Sequence, residues 1–294
     1  MKKILFLIVL TLLGWSASAK EKLYILNPSS TGGSFNAQMV AYAEDLSAYY
    51  DVEYVQGKGC QKASSNVQRI IKNNNQVFHI WNGLRTADFL NGKNPLCGMI
   101  PTEQNFVNSV LKYPLFFTGT DGIDKKDIFK DDIKVGYNST TNKEYLQKLA
   151  EFHGISWHLV RYENSKGVVL GVMNNEVEFA MINSASSFWK KSDRLKALYT
   201  LNAVEENGIQ PLRSISQFPG ASNGTVDLFL LQGNGDNLKL RNVVNDILNN
   251  PKSKTYLWYS NTKGYTQTID MDVKQAISIS RNYINFWVVG DKLK

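Results

Sequence analysis

The sequence has little cysteine and, after its first nineteen residues, no long hydrophobic run. Cys60 and Cys97 are the only cysteines among 294 residues. An oxidising compartment would allow them to form one disulfide, and two free thiols are the equal alternative; the sequence leaves both open. Two thiols cannot build a metal site unaided. The segment around Cys60, "GKGCQKA", fits neither the dinucleotide-binding fingerprint nor the P-loop, so no cofactor is expected.

Charge of one sign is not concentrated anywhere along the chain. The formal net charge is +7, and the positive residues are spread out without a basic run. This spread argues against a nucleic-acid partner. A mild positive bias suits an anionic small ligand, and it equally suits no ligand in particular.

Histidine is also scarce, which limits the catalytic chemistry that the chain can support. The segment Gly220–Gly224, "GASNG", matches the nucleophile-elbow pattern around Ser222. A hydrolase of that chain order needs a histidine after the serine, whereas His79, His153 and His158 all precede it. The last two are five positions apart, without the helical register of a metal-binding pair. We therefore predict no catalytic residue and no metal site.

The N-terminus has the order of a secretory signal. Two lysines precede a ten-residue apolar core, Ile4–Leu13, and the small residues Ala17-Ser18-Ala19 follow. Ten apolar residues span about half of a bilayer core, which argues against a membrane anchor. We predict that residues 1–19 are a signal peptide and that residues 20–294 form a soluble, exported, periplasmic protein.

The remaining chain alternates segments typical of strands and of helices, which predicts an α/β fold with parallel sheets and helices on both faces. Roughly 275 residues exceed one typical core, so we expect two lobes. The first would comprise 20–118 and 232–294, and the second 119–231. No internal repeat is visible. The predicted strands are 22–26, 51–57, 76–83, 110–119, 132–138, 156–162, 177–183, 195–201 and 226–233, and the predicted helices are 34–50, 67–75, 142–152, 165–174 and 237–250.

A loop rich in glycine and hydroxyl groups joins the first strand to the first helix. The segment "NPSSTGGSFNAQM" contains Gly32 and Gly33, which let backbone N–H groups approach a ligand without an intervening Cβ. The first amides of a helix lack internal partners, and the helix dipole adds partial positive charge there. Such a loop suits a carboxylate or another anion. The alternative is an ordinary Ser/Gly turn with Ser34 as the helix N-cap.

A second segment, "GYNSTTNKEYLQKLAEFHG", repeats this arrangement of strand, polar loop and helix. Thr141 and Glu144 match a capping box, and Gly154 fits the position just after the helix. Two loops suited to an anion, about a hundred residues apart, indicate two lobes that hold one ligand across a cleft.

These and further segments resemble the solute-binding proteins of tripartite tricarboxylate transporters, the Bug family. "NPSSTGGSFN" looks like the family's first ligand loop, and "VGYNSTTNKEYLQKLAEFHGI" like its second loop and helix. "VRYENSKGVVLGVMNNEVEFAMINSASSF" keeps the family's spacing without a gap, and "RLKALYT" and "PLRSISQFPG" continue the likeness. The resemblance covers most of residues 22 to 265, and its specificity lies in the order and spacing of the pieces.

The resemblance implies a type II-like periplasmic binding protein: two α/β lobes, two crossovers and a central cleft that closes on the ligand. The family's loops hold a ligand carboxylate through backbone amides, hydroxyls and waters. Transferred by position, the ligand-binding residues are Pro28, Ser29, Ser30, Thr31, Gly32, Gly33 and Ser34 in one wall, Tyr137, Asn138, Ser139, Thr140, Thr141 and Asn142 in the other, Trp81 and Asn82 on the floor, and Asn183 and Ser184 behind.

Three positions depart from the family's pattern. Its aspartate after the first glycines is Asn36 here, and its aspartate near the end of a later strand is Ile182. Asn36 can still donate and accept hydrogen bonds, whereas Ile182 cannot replace a carboxylate. The family's third-loop Gly-Gly pair is Asn164-Ser165. The identity of the ligand is therefore less transferable than the fold.

The sequence as a whole predicts a monomeric, non-enzymatic binding protein that delivers a small organic acid to the subunits of a membrane permease. Two alternatives remain open. One is a ligand sensor that presents its closed form to a signalling partner. The other is a secreted hydrolase with an unrecognised site, for which Ser222 would be the residue to test.

Overall fold

The structure is a computed structural model that describes residues 19–27, 34–57, 60–82, 102–111, 115–183, 192–200, 208–216, 226–261, 266–268 and 272–278. Its strands are β1 (Lys22–Asn27), β2 (Asp51–Gln56), β3 (Gln76–Asn82), β4 (Phe106–Leu111), β5 (Leu115–Thr120), β6 (Lys134–Tyr137), β7 (His158–Arg161), β8 (Phe179–Asn183), β9 (Leu195–Thr200), β10 (Val226–Gln232) and β11 (Thr266–Thr268). Its helices are α1 (Ser34–Leu46), α2 (Cys60–Lys72), α3 (Thr140–His153), α4 (Ser165–Met173), α5 (Asn237–Asn249) and α6 (Lys254–Asn261), with 3-10 helices at Lys125–Phe129 and Leu212–Ser214. Within these ranges, no helix has the length and apolar character needed to cross a membrane.

The strands form two sheets, which confirms the α/β prediction. The first sheet has the order β11-β4-β10-β3-β1-β2, and the second has the order β7-β6-β8-β5-β9. Both sheets are mixed, so the prediction of purely parallel sheets was wrong. β10 runs antiparallel to β3 and β4, and β5 runs antiparallel to β8 and β9. Strand direction depends on how distant segments pair, which a local hydrophobic pattern does not record.

The two sheets share one topology. The unit β1-α1-β2-α2-β3 has the spatial strand order β3-β1-β2, and the unit β6-α3-β7-α4-β8 has the matching order β8-β6-β7. In each sheet an antiparallel strand, β10 or β5, then pairs with the last strand of the unit. The sequence shows no repeat, but the backbone repeats the same fold.

Along its described strands, the chain crosses between the sheets twice. The segment 110–119, predicted as one strand, is two strands in different sheets: β4 ends at Leu111 and β5 begins at Leu115. The intervening residues include Pro114, which has no N–H for a ladder bond. The chain returns between Thr200 of β9 and Val226 of β10. Sheet membership, together with the packing of Leu212 in the cluster of the second sheet, therefore favours lobe limits at 112–114 and 217–225 over the expected limits after 118 and 231, and the division into lobes stays a prediction.

Each sheet has its own hydrophobic core. α1 buries Met39 and Leu46 in the cluster of the first sheet, and Tyr50, four residues after the helix ends, packs in the same cluster. β8 of the second sheet is apolar without alternation because both of its faces are covered: Phe179 and Met181 join one cluster, and Ala180 and Ile182 join another. No described hydrophobic cluster contains residues from both sheets.

Candidate functional site

Each sheet has one switch point, which we define as the gap between two parallel strands whose connections leave in opposite directions. In the first sheet β2 and β3 flank β1, so the gap opens between β1 and β3. In the second sheet β7 and β8 flank β6, and the gap opens between β6 and β8. Ligands of open α/β sheets bind beyond the carboxyl ends of such strands. The predicted ligand-binding residues lie at or just after the ends of these four strands.

Several of the predicted site residues lie outside the part of the chain that can be described. Trp81 and Asn82 are the last residues of β3, paired with Leu228 and Asp227 of β10, and Asn183 ends β8. Ser34 is the first residue of α1, so the helix begins at the predicted cap and not after it. Of the residues that carry a prediction, those outside the described ranges are Pro28, Ser29, Ser30, Thr31, Gly32, Gly33, Ser184, Cys97 and Ser222. Seven more lie in a described helix or strand, but their side chains are not described: Ser34, Cys60, Trp81, Asn82, Thr140, Thr141 and Asn183.

At the end of β1, four polar side chains form a network. Asn27 is fully buried, and its Nδ2 donates to Asn36 Oδ1 at 3.0 Å and to Gln56 Oε1 at 3.2 Å. Tyr54 Oη donates to the same Asn36 Oδ1 at 3.0 Å. Asn27 and Gln56 are register partners at the ends of β1 and β2, which is why they meet. The network is neutral, and burial raises the pKa of the Tyr54 hydroxyl.

Of the four residues in this network, only Asn36 stands out in the sequence. Asn27, Tyr54 and Gln56 were missed because each stands in or at the end of a strand, where a polar residue alone carries little information. The position of Asn27 could have predicted such a network. It ends an otherwise apolar strand directly before a glycine-rich loop, and a buried amide there needs hydrogen-bond partners.

A similar network lies at the end of β6. Asn138 Nδ2 donates to Ser165 Oγ at 2.9 Å, and Asn142 Nδ2 donates to Asn138 Oδ1 at 3.3 Å. Asn138 follows β6 and Ser165 begins α4, which follows β7. Because β6 and β7 are parallel neighbours, this contact holds the first turns of α3 and α4 side by side. The dipoles of two adjacent helix N-termini make this edge favourable for an anion.

The N-cap of α3 is Ser139 and not Thr141, so the predicted capping box was wrong. Ser139 has extended backbone angles, and its Oγ accepts from Asn142 N at 3.1 Å. Thr141 lies inside the helix because helical geometry begins at Thr140. Gly154, with φ of 64°, ends α3 in the left-handed conformation as predicted. Ser139 is half-buried, and its hydroxyl hydrogen is not needed for the cap, since the cap uses the oxygen as acceptor.

Two residues that the family resemblance singled out, Tyr137 and Ile182, have their side chains in the hydrophobic core. Tyr137 is 6% exposed and packs in the cluster beneath the second sheet, so only its backbone is placed to line a cleft. Ile182 is 2% exposed and packs against α4 residues such as Val168. It therefore leaves no polar group where the resembled family has an aspartate. Asn164 caps α4, with Oδ1 accepting from Gly167 N at 3.0 Å.

One serine–histidine contact occurs away from the switch points. His153 Nε2 lies 2.6 Å from Ser216 Oγ, and Ser216 is 4% exposed. His153 is the last residue of α3, about 20 Å along the helix from Ser139. Burial lowers the pKa of His153. The contact joins α3 to the segment 208–216, and the buried hydroxyl is poorly placed to meet a substrate. Among the described residues, no group of three His, Cys, Asp or Glu side chains could hold a metal ion.

Comparison with known proteins identifies relatives by structure only. No family model matches the chain, and no curated protein matches it by sequence. Among solved structures, MatC from Rhodopseudomonas palustris with bound malate has a TM-score of 0.68 at 10% identity, covering 92% of this chain and 98% of that one. A protein from R. palustris with adipate has a TM-score of 0.65 at 13% identity, covering 95% and 98%.

The periplasmic binding protein BugD carries the name of the family that the sequence resembles. It has a TM-score of 0.65 at 10% identity and covers 92% of this chain and 97% of that one. At such low identities the likeness concerns the fold. The chain therefore has the two-lobed α/β fold of Bug-type periplasmic binding proteins, as the resemblance predicted.

Proposed function

We propose that the protein is an exported solute-binding protein that captures a small organic acid between two lobes and delivers it to a membrane permease. The observation that carries this proposal is the repeated topology. The same βαβαβ unit occurs twice, and each copy has a polar strand-to-helix connection at its switch point. Two equivalent binding edges in one chain suit a ligand that is held from both sides.

The chemistry of the two edges favours a carboxylate. The described polar side chains there are amides and hydroxyls, including Asn36, Asn138 and Ser165. Together with the first amides of the helices, such groups supply several hydrogen-bond donors to an anion, and bonds to a charged acceptor are the strong ones. The names of two structural neighbours record malate and adipate, both of which are small dicarboxylates.

The amides and hydroxyls at these edges suit reversible binding of a ligand without covalent chemistry. Hinge closure is a common way for two-lobed proteins to enclose a ligand. Such a motion would act where the chain passes from one sheet to the other. The signal peptide, the periplasmic location and the monomeric state belong to the same proposal and rest on the sequence.

Thermal denaturation with a panel of organic acids tests the proposal. An acid at a hundredfold excess over its dissociation constant adds about 2.7 kcal/mol to the free energy of unfolding. We expect at least one dicarboxylate to raise the melting temperature of the wild type. Gly33→Val should abolish the rise because its side chain obstructs the backbone amides of the first loop.

The matched control is Ala37→Val, which places the same side chain on the exposed surface of α1 one turn later. It should retain the acid-induced rise. Stabilisation by neutral compounds alone would contradict the carboxylate assignment. Turnover of esters or amides that is lost in Ser222→Ala would favour the hydrolase instead.

A further inference from the structure

We propose that Ser165 is a positioning residue for the binding edge of the second sheet. Its hydroxyl holds the side chain of Asn138, one of the residues expected to bind the acid, and so keeps this edge arranged before a ligand arrives. The inference rests on the proposed function and deepens it, because it assigns the preorganisation of that site to a residue that is not among the predicted ligand-binding residues.

The contact between Ser165 and Asn138 belongs to a continuous chain of polar groups. Asn138 Nδ2 donates to Ser165 Oγ at 2.9 Å, and Asn142 Nδ2 donates to Asn138 Oδ1 at 3.3 Å. Reversing both amides reverses both bonds and keeps both contacts, because a hydroxyl can donate as well as accept. Asn142 N in turn donates to Ser139 Oγ, the cap of α3, at 3.1 Å. The chain therefore joins the start of α4 to the start of α3, whichever way the amides point.

The start of α4 is itself fixed, which makes Ser165 a rigid support. The preceding residue, Asn164, caps the helix, with Oδ1 accepting from Gly167 N at 3.0 Å. The ring of Tyr162, at the end of the β7 connection, lies against the same helix, and a Cβ at Gly171 would overlap this ring. A cap and a packed ring thus hold the connection from β7 to α4, as a support for a binding residue requires.

The strand order indicates that Ser165 acts through Asn138 and not by contact with the ligand. The gap of the second sheet opens between β6 and β8, and Asn138 directly follows β6. Ser165 follows β7, which lies on the other side of β6. Ser165 is thus one strand farther from the gap than Asn138.

Holding the Asn138 side chain lowers the cost of binding. Asn138 is half-buried at the edge of the sheet, where a side chain without this support would exchange between rotamers. The ligand would then have to order the side chain itself, and this ordering reduces affinity. The loss of one neutral hydrogen bond corresponds to a change of about two- to tenfold in an equilibrium constant.

Ser165→Ala, Asn138→Ala and the double variant test this assignment by calorimetric titration. The probe is the acid of the thermal panel that the wild type binds most tightly, with malate and adipate titrated first. Ser165→Ala should lower the affinity by about two- to tenfold. Asn138→Ala should lower it at least as much, because it removes a ligand-binding side chain together with its support. The double variant should bind as Asn138→Ala does, since Ser165 then has no side chain left to position.

Two further variants complete the test. Ser65→Ala removes an exposed serine hydroxyl from α2 and should leave the affinity unchanged. Ser165→Cys keeps the size of the side chain and replaces the hydroxyl with a thiol, which is a weaker hydrogen-bonding group. It should lower the affinity in the same direction as alanine, and it provides the measurement if the alanine variant does not fold.

Two results would overturn the inference while the wild type still binds an acid, which leaves the proposed function intact. An unchanged affinity in Ser165→Ala would make its contact with Asn138 purely structural. Losses that add in the double variant would make Ser165 a ligand contact in its own right. A wild type that binds no acid of the panel would contradict the proposed function, and the inference with it.

Discussion

His79 lies in the centre of the first sheet, where a charged side chain would be costly. It is 1% exposed on β3, and its Cα partners are Leu26 of β1 and Leu230 of β10. Burial lowers the pKa of His79 from 6.5 to about 3. The folded protein therefore keeps this imidazole neutral under conditions in which the unfolded chain binds a proton.

This difference in protonation makes stability depend on pH. Between pH 6.5 and 3 the unfolded state binds more protons at His79 than the folded state, so the free energy of unfolding falls as pH decreases. At pH 5 the loss from this residue is about 2 kcal/mol relative to pH 7. In urea titrations, His79→Leu should show a shallower decline between these pH values, whatever its absolute stability.

The control is Phe78→Leu, a neighbouring buried position on β3 that carries no titratable group. It should keep the pH dependence of the wild type. A decline of equal steepness in His79→Leu would mean that other groups, such as carboxylates, cause it.

At the level of the helix, Ser139 determines where α3 begins. Its Oγ accepts the N–H of Asn142, which would otherwise lack a partner in the first turn. Ser139→Ala should lower the free energy of unfolding by about 1 kcal/mol, measured by urea denaturation without ligand. Thr141→Ala should change it by less than about 0.5 kcal/mol, since alanine is favoured inside a helix. A larger cost at Thr141 than at Ser139 would restore the capping box predicted from the sequence.

The error at this cap illustrates what a local pattern can and cannot predict. The sequence "NSTTNKE" offers three hydroxyls in a row, and the spacing to a glutamate favours Thr141. The choice among them depends on where β6 ends and on the contact of Asn138 with Ser165, twenty-seven residues away. Non-local contacts of this kind are invisible to any window of the sequence.

Other elements were predictable because their signal is local. The buried face of α1 follows from helical spacing, and β8 follows from an apolar run without alternation. By contrast, the break between β4 and β5 was missed because both strands are apolar and the separating residues are few. The polar partners of Asn36 were missed because β1, β2 and α1 bring them together only in the folded sheet.

Within the described ranges, the chain forms two sheets, each with hydrophobic clusters on both of its faces. Leu240 is fully buried in the cluster of the first sheet, and Leu149 is fully buried in that of the second. Within the described parts of the chain, no hydrophobic cluster spans both sheets. The stabilities of the two lobes should therefore be coupled weakly in the absence of ligand and more strongly when one ligand contacts both.

Differential scanning calorimetry of two matched variants tests this coupling. Leu149→Ala and Leu240→Ala should each cost about 2–5 kcal/mol, because each removes a fully buried side chain. Without ligand, each variant should lower the melting temperature of one transition and leave the other in place. With a saturating acid, the transitions should approach each other, since unfolding of either lobe then releases the ligand. If both variants shift the whole unfolding profile equally without ligand, the two cores unfold as one unit, and the weak coupling inferred from their separate hydrophobic clusters is wrong.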